Sequence, residues 1–352
     1  MQAGIVGMGI MGRLLALALH NAGWQVTLFD RSDGSTNCSH AAAGLLTPFS
    51  ELDKADQLIS RLGQASISTY WPQIVKQLSD EIFLKKLGTI VLYHPSDQAE
   101  WHSFNQRVLA QLDQDTSCYQ LLSQDKLLQL EPELAKFQQA YYFADEAQIY
   151  SQPILSALQI YLETQGVNHL TNTDNLLLKP RKVITDDKSY DFDMVFDCRG
   201  LGAREVFGDL RALRGELIWL HAPDVVLQRP IRLLHPRYSL YLVPRPGNHY
   251  LVGASEIEAE DFSPISVRST LELLTAVYYV HAGFAEARIL KTVTHCRPTL
   301  SNHLPRIQFS EGLIAVNGLY RHGYLIAPVL AEEIVRCLNT NQQHYPEIWE
   351  TK

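Results

Sequence analysis

The first thirty residues follow a repeated apolar and polar pattern that predicts a strand, a helix and a second strand. Residues 4–6, "GIV", are short and apolar, as in a buried parallel strand. The stretch "RLLALALHNAG" places Leu14, Leu15, Ala18 and Leu19 on one helical face. The stretch "WQVTLF" has the composition of a second strand.

The loop between the first strand and the helix contains Gly7, Gly9 and Gly12, in the pattern G-x-G-x-x-G. These glycines permit a tight turn, close approach of a pyrophosphate and close packing of the helix on the strand. Asp30 closes the second strand, at the distance where a carboxylate can accept a hydrogen bond from a ribose. The start of the chain therefore predicts a dinucleotide site, but these residues alone leave NAD and FAD open. The remaining alternative is a tight turn that binds nothing.

Further along the chain, the pattern predicts helical and sheet regions between separated nucleotide-fold segments. Residues 56–80 have helical periodicity, and residues 215–295 contain alternating strands separated by Pro, Gly and Asn. A strand, a glycine-containing loop and a helix end the chain. One inner face is expected to carry Leu58, Ile59, Leu62, Ile67, Tyr70 and Ile74.

Composition narrows the class of protein. A net charge of −8 over 352 residues argues against a general nucleic-acid binder. We see no apolar run of about 18 residues, so no membrane span is predicted. The first strand begins by residue 4, leaving no room for a signal peptide, and the five scattered cysteines fit reduced thiols. We therefore expect a cytoplasmic protein without a metal site, which could form a homo-oligomer.

Later motifs favour FAD over NAD. "SHAAAGLLTP", "MVFDCRGLGAR", "LRGELIWL", "YLVPRPGNHYLVGASEIE", "HCRP" and "NGLYRHGYLIAP" occur in order along the chain. Together they resemble the FAD-dependent D-amino-acid oxidase superfamily, and most of all its glycine oxidase branch. The resemblance runs from about residue 4 to residue 336.

The resemblance implies an α/β fold with a Rossmann-like FAD-binding domain built from discontinuous segments. An α+β substrate domain with a mainly antiparallel sheet would complete it. We assign residues 1–75, 140–214 and 296–352 to the FAD domain, and residues 76–139 and 215–295 to the substrate domain.

The resemblance also implies the site residues. Arg297 in "HCRP" would clamp a substrate carboxylate, Tyr241 would be its phenolic partner, and Arg321 would lie near substrate and flavin. His295 and His322 are expected to be structural or wall residues, and Cys296 a buried thiol, so FAD would be non-covalent. The predicted FAD-binding residues are Gly7, Gly9, Ile10, Met11, Gly12, Asp30, Arg31, Ala42, Ala43, Gly44, Leu45, Gly200, Gly318, Arg321, Gly323, Tyr324 and Leu325, with Asn175 or Leu176 near adenine.

The implied activity is oxidation of a small amino acid or amine to an imine and then a 2-oxo acid, with O2 reduced to H2O2. The main alternative is a D-amino-acid or amine dehydrogenase of the same fold that passes electrons to a quinone. Two further alternatives are an NAD(P)-dependent dehydrogenase and a non-enzymatic flavin-fold module. The sequence departs from the family at Asn302 and His303, which would alter the pocket edge. His235, Arg237 and Tyr238 would narrow or charge the entrance.

Overall fold

The structure, a computed structural model, describes residues 1–32, 37–78, 84–94, 97–112, 116–173, 176–186, 188–235 and 239–351. The adenine contact expected at Asn175 and the entrance side chains of Arg237 and Tyr238 lie outside these ranges. The α-helices in the described ranges are α1 Ile10–Asn21, α2 Cys38–Ala41, α3 Gln57–Ala65, α4 Trp71–Leu78, α5 Gln98–Gln111, α6 Gln124–Leu130, α7 Ser151–Thr164, α8 Val267–Val280 and α9 Gly323–Thr340.

The strands fall into two large sheets and two small ones within the described ranges. In chain order, they are β1 Gln2–Val6, β2 Gln25–Phe29, β3 Leu45–Leu46, β4 Leu84–Lys85, β5 Thr89–Tyr93, β6 Gln120–Ser123, β7 Gln139–Phe143, β8 Ala147–Ile149, β9 Asn168–Leu170, β10 Leu177–Lys179, β11 Lys182–Ile184, β12 Ser189–Asp191, β13 Met194–Asp197, β14 Arg211–His221, β15 Ile231–Leu234, β16 Ser239–Arg245, β17 His249–Gly253, β18 Arg288–Thr299, β19 Arg306–Ser310, β20 Leu313–Asn317 and β21 Trp349–Thr351.

The first large sheet collects strands from three distant parts of the chain. Its order is β21-β19-β20-β13-β1-β2-β9, and β1 is parallel to both β2 and β13. Strand β20, near the end of the chain, pairs in parallel with β13. The predicted discontinuous Rossmann-like fold is therefore confirmed, with α1 and α9 packed in one hydrophobic core beside this sheet.

The second large sheet has the order β18-β14-β17-β16-β15-β5-β7-β6 and is mostly antiparallel. Strands β7, β14 and β18 each cross a predicted domain boundary, near residues 140, 214 and 295. The division of the chain into these two domains remains a prediction. The long β14–β18 ladder pairs Leu213 with Arg297, which fixes the backbone position of Arg297 in the sheet.

The helical pattern predicted over residues 56–80 is interrupted in the structure. A π-helical turn, Ser66–Tyr70, separates α3 from α4. The extra backbone residue in this turn rotates the following side chains relative to a regular α-helix. Leu58, Ile59, Leu62 and Ile67 are buried as expected, whereas Tyr70 and Ile74 are only partly buried.

None of the helices within the described ranges combines the length and the apolar character that crossing a membrane requires.

Candidate active site

One continuous cavity of about 1180 Å³ is lined by residues of both large sheets. It reaches from the glycine loop and Asp30 to Tyr241 and Arg297. Its volume is at the upper end of ligand pockets in general, which suits a large ligand with a small one beside it. The predicted residues on its wall are Gly7, Gly9, Ile10, Met11, Asp30, Arg31, Ala42, Ala43, Gly44, Leu45, Gly200, Tyr241, Arg297, Arg321, Gly323 and Tyr324.

The glycine loop brings backbone against backbone at the start of α1. Gly7 has φ +109°, and a Cβ there would lie 2.4 Å from the carbonyl oxygen of Cys198. A Cβ on Gly12 would lie 1.8 Å from the carbonyl oxygen of Gly7. The N-terminus of helix α1 lies on the cavity wall, where the backbone N–H of Ile10 donates to Ser39 Oγ at 2.9 Å and the helix dipole favours an anion. Gly12 itself is not on the cavity wall and serves the packing of helix on turn.

Asp30 connects the end of β2 to the glycine loop. Its Oδ2 accepts a hydrogen bond from the backbone N–H of Met8 at 2.6 Å, and its Oδ1 accepts one from Ser32 at 3.1 Å. Leu176 lines the same end of the cavity. The carboxylate is therefore fixed at the edge where a ribose is expected.

Hydrogen bonds from two side chains hold the loop of residues 42–45 in place. Ser151 Oγ donates to the carbonyl of Ala42 at 2.7 Å. The guanidinium of Arg245, which is buried, donates to the carbonyl of Ala43 and, at 2.6 Å, to Gln148 Oε1. This anchoring holds the loop along the middle of the cavity, where the flavin ring is predicted.

The loop before α9 also contributes to the cavity wall. Gly323 opens the helix, again without a side-chain cap, and Tyr324 Oη donates to the carbonyl of Ser39 at 2.9 Å. Gly318 and Leu325, predicted to bind FAD, are not on the cavity wall. Gly318 lies against Leu300, and Leu325 lies against Gly63. Both positions pack the elements that carry the wall.

Tyr241, Arg297 and Arg321 line one part of the cavity, the substrate end, where Arg321 interacts electrostatically with each of the other two. Arg297 Nη1 donates to the carbonyl of Ser255 at 3.2 Å. Among the described residues, Tyr241 Oη and Arg321 Nη2 are buried without a hydrogen-bond partner of ordinary geometry, although Glu51 lies beside the phenol. Buried polar atoms are rarely left unsatisfied, so these two indicate a polar ligand.

Glu51 is the functional-site residue that the sequence analysis missed. Its Oε2 lies 2.9 Å from Arg321 Nε and 3.6 Å from His322 Nδ1, and its side chain is 7% exposed. Burial alone would raise the pKa of Glu51, but Arg321, His322 and Arg232 hold it below its ordinary value. The acid therefore stays ionised and fixes the orientation of the Arg321 guanidinium.

Two buried side chains from other elements position the segment that carries Glu51. Glu146 accepts hydrogen bonds from the backbone N–H groups of Phe49 at 2.9 Å and Ser50 at 2.6 Å. Arg232 binds Asp53 with two hydrogen bonds of 2.7 and 2.8 Å. These partners are about a hundred or more residues away in sequence. No local motif could have indicated them.

The histidines near the site behave as wall residues. Burial lowers the pKa of His322 to about 4, with Arg321 adding to the effect against the opposing Glu51, so its ring is neutral at physiological pH. His295 Nδ1 accepts from the backbone N–H of Cys296 at 2.9 Å. His303, expected at the pocket edge with Asn302, instead packs against Tyr320, with ring centroids 4.9 Å apart. Neither Asn302 nor His303 is on the cavity wall.

The cavity fits FAD in shape and polarity. The glycine turn leaves no room for a Cβ at Gly7, and the N-termini of α1 and α9 both lie on the wall. Gly7 and Gly9 would hold the pyrophosphate, Asp30 the ribose, and residues 42–45 the flavin ring. Tyr241 and Arg321 then remain with unsatisfied polar atoms for a substrate.

Known proteins resemble the chain over almost its whole length. It is 34% identical over 338 residues to the putative thiamine biosynthesis oxidoreductase ThiO of Rhizobium etli, covering 96% of each protein. The crystal structure of glycine oxidase from Geobacillus kaustophilus superposes with a TM-score of 0.85 at 20% identity, covering 97% of this chain and 95% of that one. Iminodiacetate oxidase from Chelativorans sp. BNC1 gives a TM-score of 0.85 at 20% identity, covering 99% of each chain.

The family profile described as FAD dependent oxidoreductase matches residues 2–336. This match confirms FAD as the predicted cofactor and rules out the NAD(P) alternative that the glycine loop alone left open. The chain belongs to the D-amino-acid oxidase family of FAD-dependent oxidoreductases.

Proposed function

We propose that the protein oxidises a small amino acid or amine of the glycine, sarcosine or D-amino-acid type. The proposal rests on one cavity that has two kinds of lining. Arg297, Tyr241 and Arg321 line its substrate end, and the glycine turn lines another part of it. A guanidinium and a phenol on one cavity wall are hydrogen-bond donors that match the acceptor oxygens of a carboxylate. The names of the relatives, a thiamine biosynthesis oxidoreductase and a glycine oxidase, support the same class of substrate.

Each side chain has a distinct task in this proposal. Arg297 binds the substrate carboxylate, while its bond to the Ser255 carbonyl keeps the guanidinium in place. Burial raises the pKa of Tyr241 well above its ordinary value, so the phenol remains a neutral hydrogen-bond donor. Arg321, paired with Glu51, offers its buried Nη2 to the substrate. Fixed donors at the carboxylate orient the Cα–H bond, which supplies much of the rate enhancement.

FAD, when bound, supplies the acceptor for the Cα hydride and returns both electrons to O2 as H2O2. The substrate amine loses one further proton, and the imine product takes up water to give a 2-oxo acid and an amine or ammonia. The ring of His322 is neutral and Glu51 is ionised, so neither of these two groups carries a readily released proton beside the substrate.

The test is anaerobic mixing of the holoenzyme with glycine, sarcosine, D-alanine, L-proline and a simple amine. We expect glycine, sarcosine or D-alanine to bleach the visible absorbance of the oxidised flavin. Readmitted O2 should restore the absorbance and yield one H2O2 per flavin.

Two outcomes would change the proposal. Bleaching without peroxide would indicate a dehydrogenase that uses a quinone-type acceptor. Stable flavin binding with no bleaching by any compound in the panel would overturn the proposal and favour a non-enzymatic role.

A further inference from the structure

Glu256 places a second carboxylate at the substrate end of the cavity. It lies on the cavity wall, with its Oε2 4.0 Å from Arg321 Nη1 and its side chain 39% exposed. Burial lowers the pKa of Arg297, and the negative charge of Glu256 acts in the opposite direction. An acid therefore faces the space beside the proposed carboxylate clamp.

The backbone on both sides of Glu256 is fixed to the central sheet. Ser255 accepts from Arg297 Nη1 through its carbonyl and, through its Oγ at 2.9 Å, from the backbone N–H of Glu216. Ile257 exchanges two backbone hydrogen bonds with Arg214, of 2.8 and 3.0 Å. Glu256 lies between two anchored neighbours, so its backbone is held beside the cavity.

The residues that follow Glu256 are also held in place by hydrogen bonds. The buried guanidinium of Arg214 donates to the carbonyls of Asp261 and Pro264, each at 2.8 Å. The same guanidinium pairs with Glu216 at 2.7 Å. A single buried side chain thus fastens the segment of residues 255–264 to β14.

The charges on the substrate end nearly cancel among the described residues. Arg321 is paired with Glu51 at 2.9 Å, and Glu256 lies 4.0 Å from the same guanidinium. Arg297 is the remaining cation on this part of the wall, and it is the group that one substrate carboxylate would bind, with Glu256 as its acidic neighbour. A second substrate carboxylate would meet Glu256, and like charges brought together across an interface weaken binding.

We propose that Glu256 is a specificity-determining residue that selects amino acids with a single carboxylate and disfavours those with two. The selected class is monocarboxylic and net neutral, such as glycine, sarcosine and D-alanine. This inference rests on the proposed function, because it assumes that Arg297 binds the substrate carboxylate.

Sarcosine and iminodiacetate form a matched pair, since iminodiacetate adds one carboxylate to the N-methyl group of sarcosine. We would measure kcat/KM for both compounds in the wild-type holoenzyme, in Glu256→Gln and in Glu258→Gln. Glu258 lies two residues further on, does not line the cavity and pairs with Arg211, so it controls for a general change in surface charge. In Glu256→Gln, the kcat/KM ratio of iminodiacetate to sarcosine should rise about tenfold, whereas Glu258→Gln should keep the wild-type ratio.

A binding experiment separates this inference from the proposed activity. Acetate and malonate differ by one carboxylate, and their dissociation constants can be measured from changes in the flavin spectrum without turnover. Wild type should prefer acetate, and the preference should shrink in Glu256→Gln and at high salt, because the side chain is partly exposed. If no amino acid bleaches the flavin, the proposed function fails, yet this comparison still reports on Glu256. An acetate-to-malonate preference that is identical in wild type and Glu256→Gln would overturn the inference.

Discussion

The indole nitrogen of Trp71 donates a hydrogen bond of 2.9 Å to the backbone carbonyl of Tyr324. In a regular helix, that carbonyl would accept from the residue four positions later. This residue is Pro328, which has no N–H. Trp71 follows the π-helical turn directly, so the α3–α4 segment replaces the bond that the proline removes and supports the first turns of α9.

Replacing Trp71 with Phe should leave the Tyr324 carbonyl buried and unsatisfied. We expect a loss of about 1–3 kcal/mol in the free energy of unfolding, with a further loss from the smaller ring. Pro328→Ala restores a backbone donor, so Trp71→Phe should cost about 1 kcal/mol less in that background. Urea unfolding of the four proteins in the double-mutant cycle measures this difference. Strictly additive effects would show that the two residues are not coupled in this way.

Gly7→Ala should prevent FAD binding. The added Cβ would lie 2.4 Å from a backbone oxygen, and the backbone has φ +109°, so neither atom can move cheaply. Strain alone costs about 1–3 kcal/mol at such a position. The flavin-to-protein ratio after purification measures the effect. Gly23→Ala is the matched control, since Gly23 also has a positive φ, +82°, but nothing within 4 Å of the added atom. Gly23→Ala should retain FAD, and equal loss of flavin in both variants would contradict this explanation.

Arg297→Ala should reduce kcat/KM for carboxylate substrates by an amount equivalent to about 2–5 kcal/mol while FAD remains bound. The substitution removes the guanidinium that would bind the substrate carboxylate at the substrate end of the cavity. Steady-state peroxide release and the flavin spectrum provide the two readouts. Arg288→Ala on the same strand is the control, because that side chain is 73% exposed. Unchanged kinetics in Arg297→Ala would refute the proposed role.

Glu146 should make stability depend on pH. Burial raises the pKa of Glu146 to about 7, against the opposing hydrogen bonds from Ser50 and Phe49. The folded state then keeps a proton that the unfolded chain has already lost. The resulting stabilisation is complete below the unfolded pKa and is lost as pH rises from about 4.5 through about 7.

Glu146→Gln removes this titration. When the pH rises from about 5 to about 8, the unfolding free energy of wild type should fall by up to about 3 kcal/mol relative to that of Glu146→Gln. Denaturant unfolding of the holoprotein at both pH values tests this. Glu286→Gln, at a side chain that is 79% exposed, should follow wild type. A parallel pH profile for wild type and Glu146→Gln would show that Glu146 does not titrate in this range.

The glycine loop, Asp30 and the strands of the nucleotide fold were predictable, because each is encoded by neighbours within about 20 residues. Tyr241, Arg297 and Arg321 were predictable only through the resemblance to a family. The π-helical turn was not, because an apolar pattern does not distinguish a π turn from an α-helix over one turn.

By itself, the sequence determined the nucleotide-binding start of the fold through periodicity and a short local motif, and it determined the cofactor and the family through the resemblance of motifs spread along the chain. Only the tertiary structure revealed Glu51 as the partner of Arg321, and Glu146 and Arg232 as the groups that hold its segment. These contacts join residues between 96 and 270 positions apart, as the sheets bring distant strands together. Burial then makes each such charge dependent on its partner, because a buried ion without one costs several kcal/mol. The electrostatics of the substrate end therefore follows from packing, and no local pattern of residues encodes it.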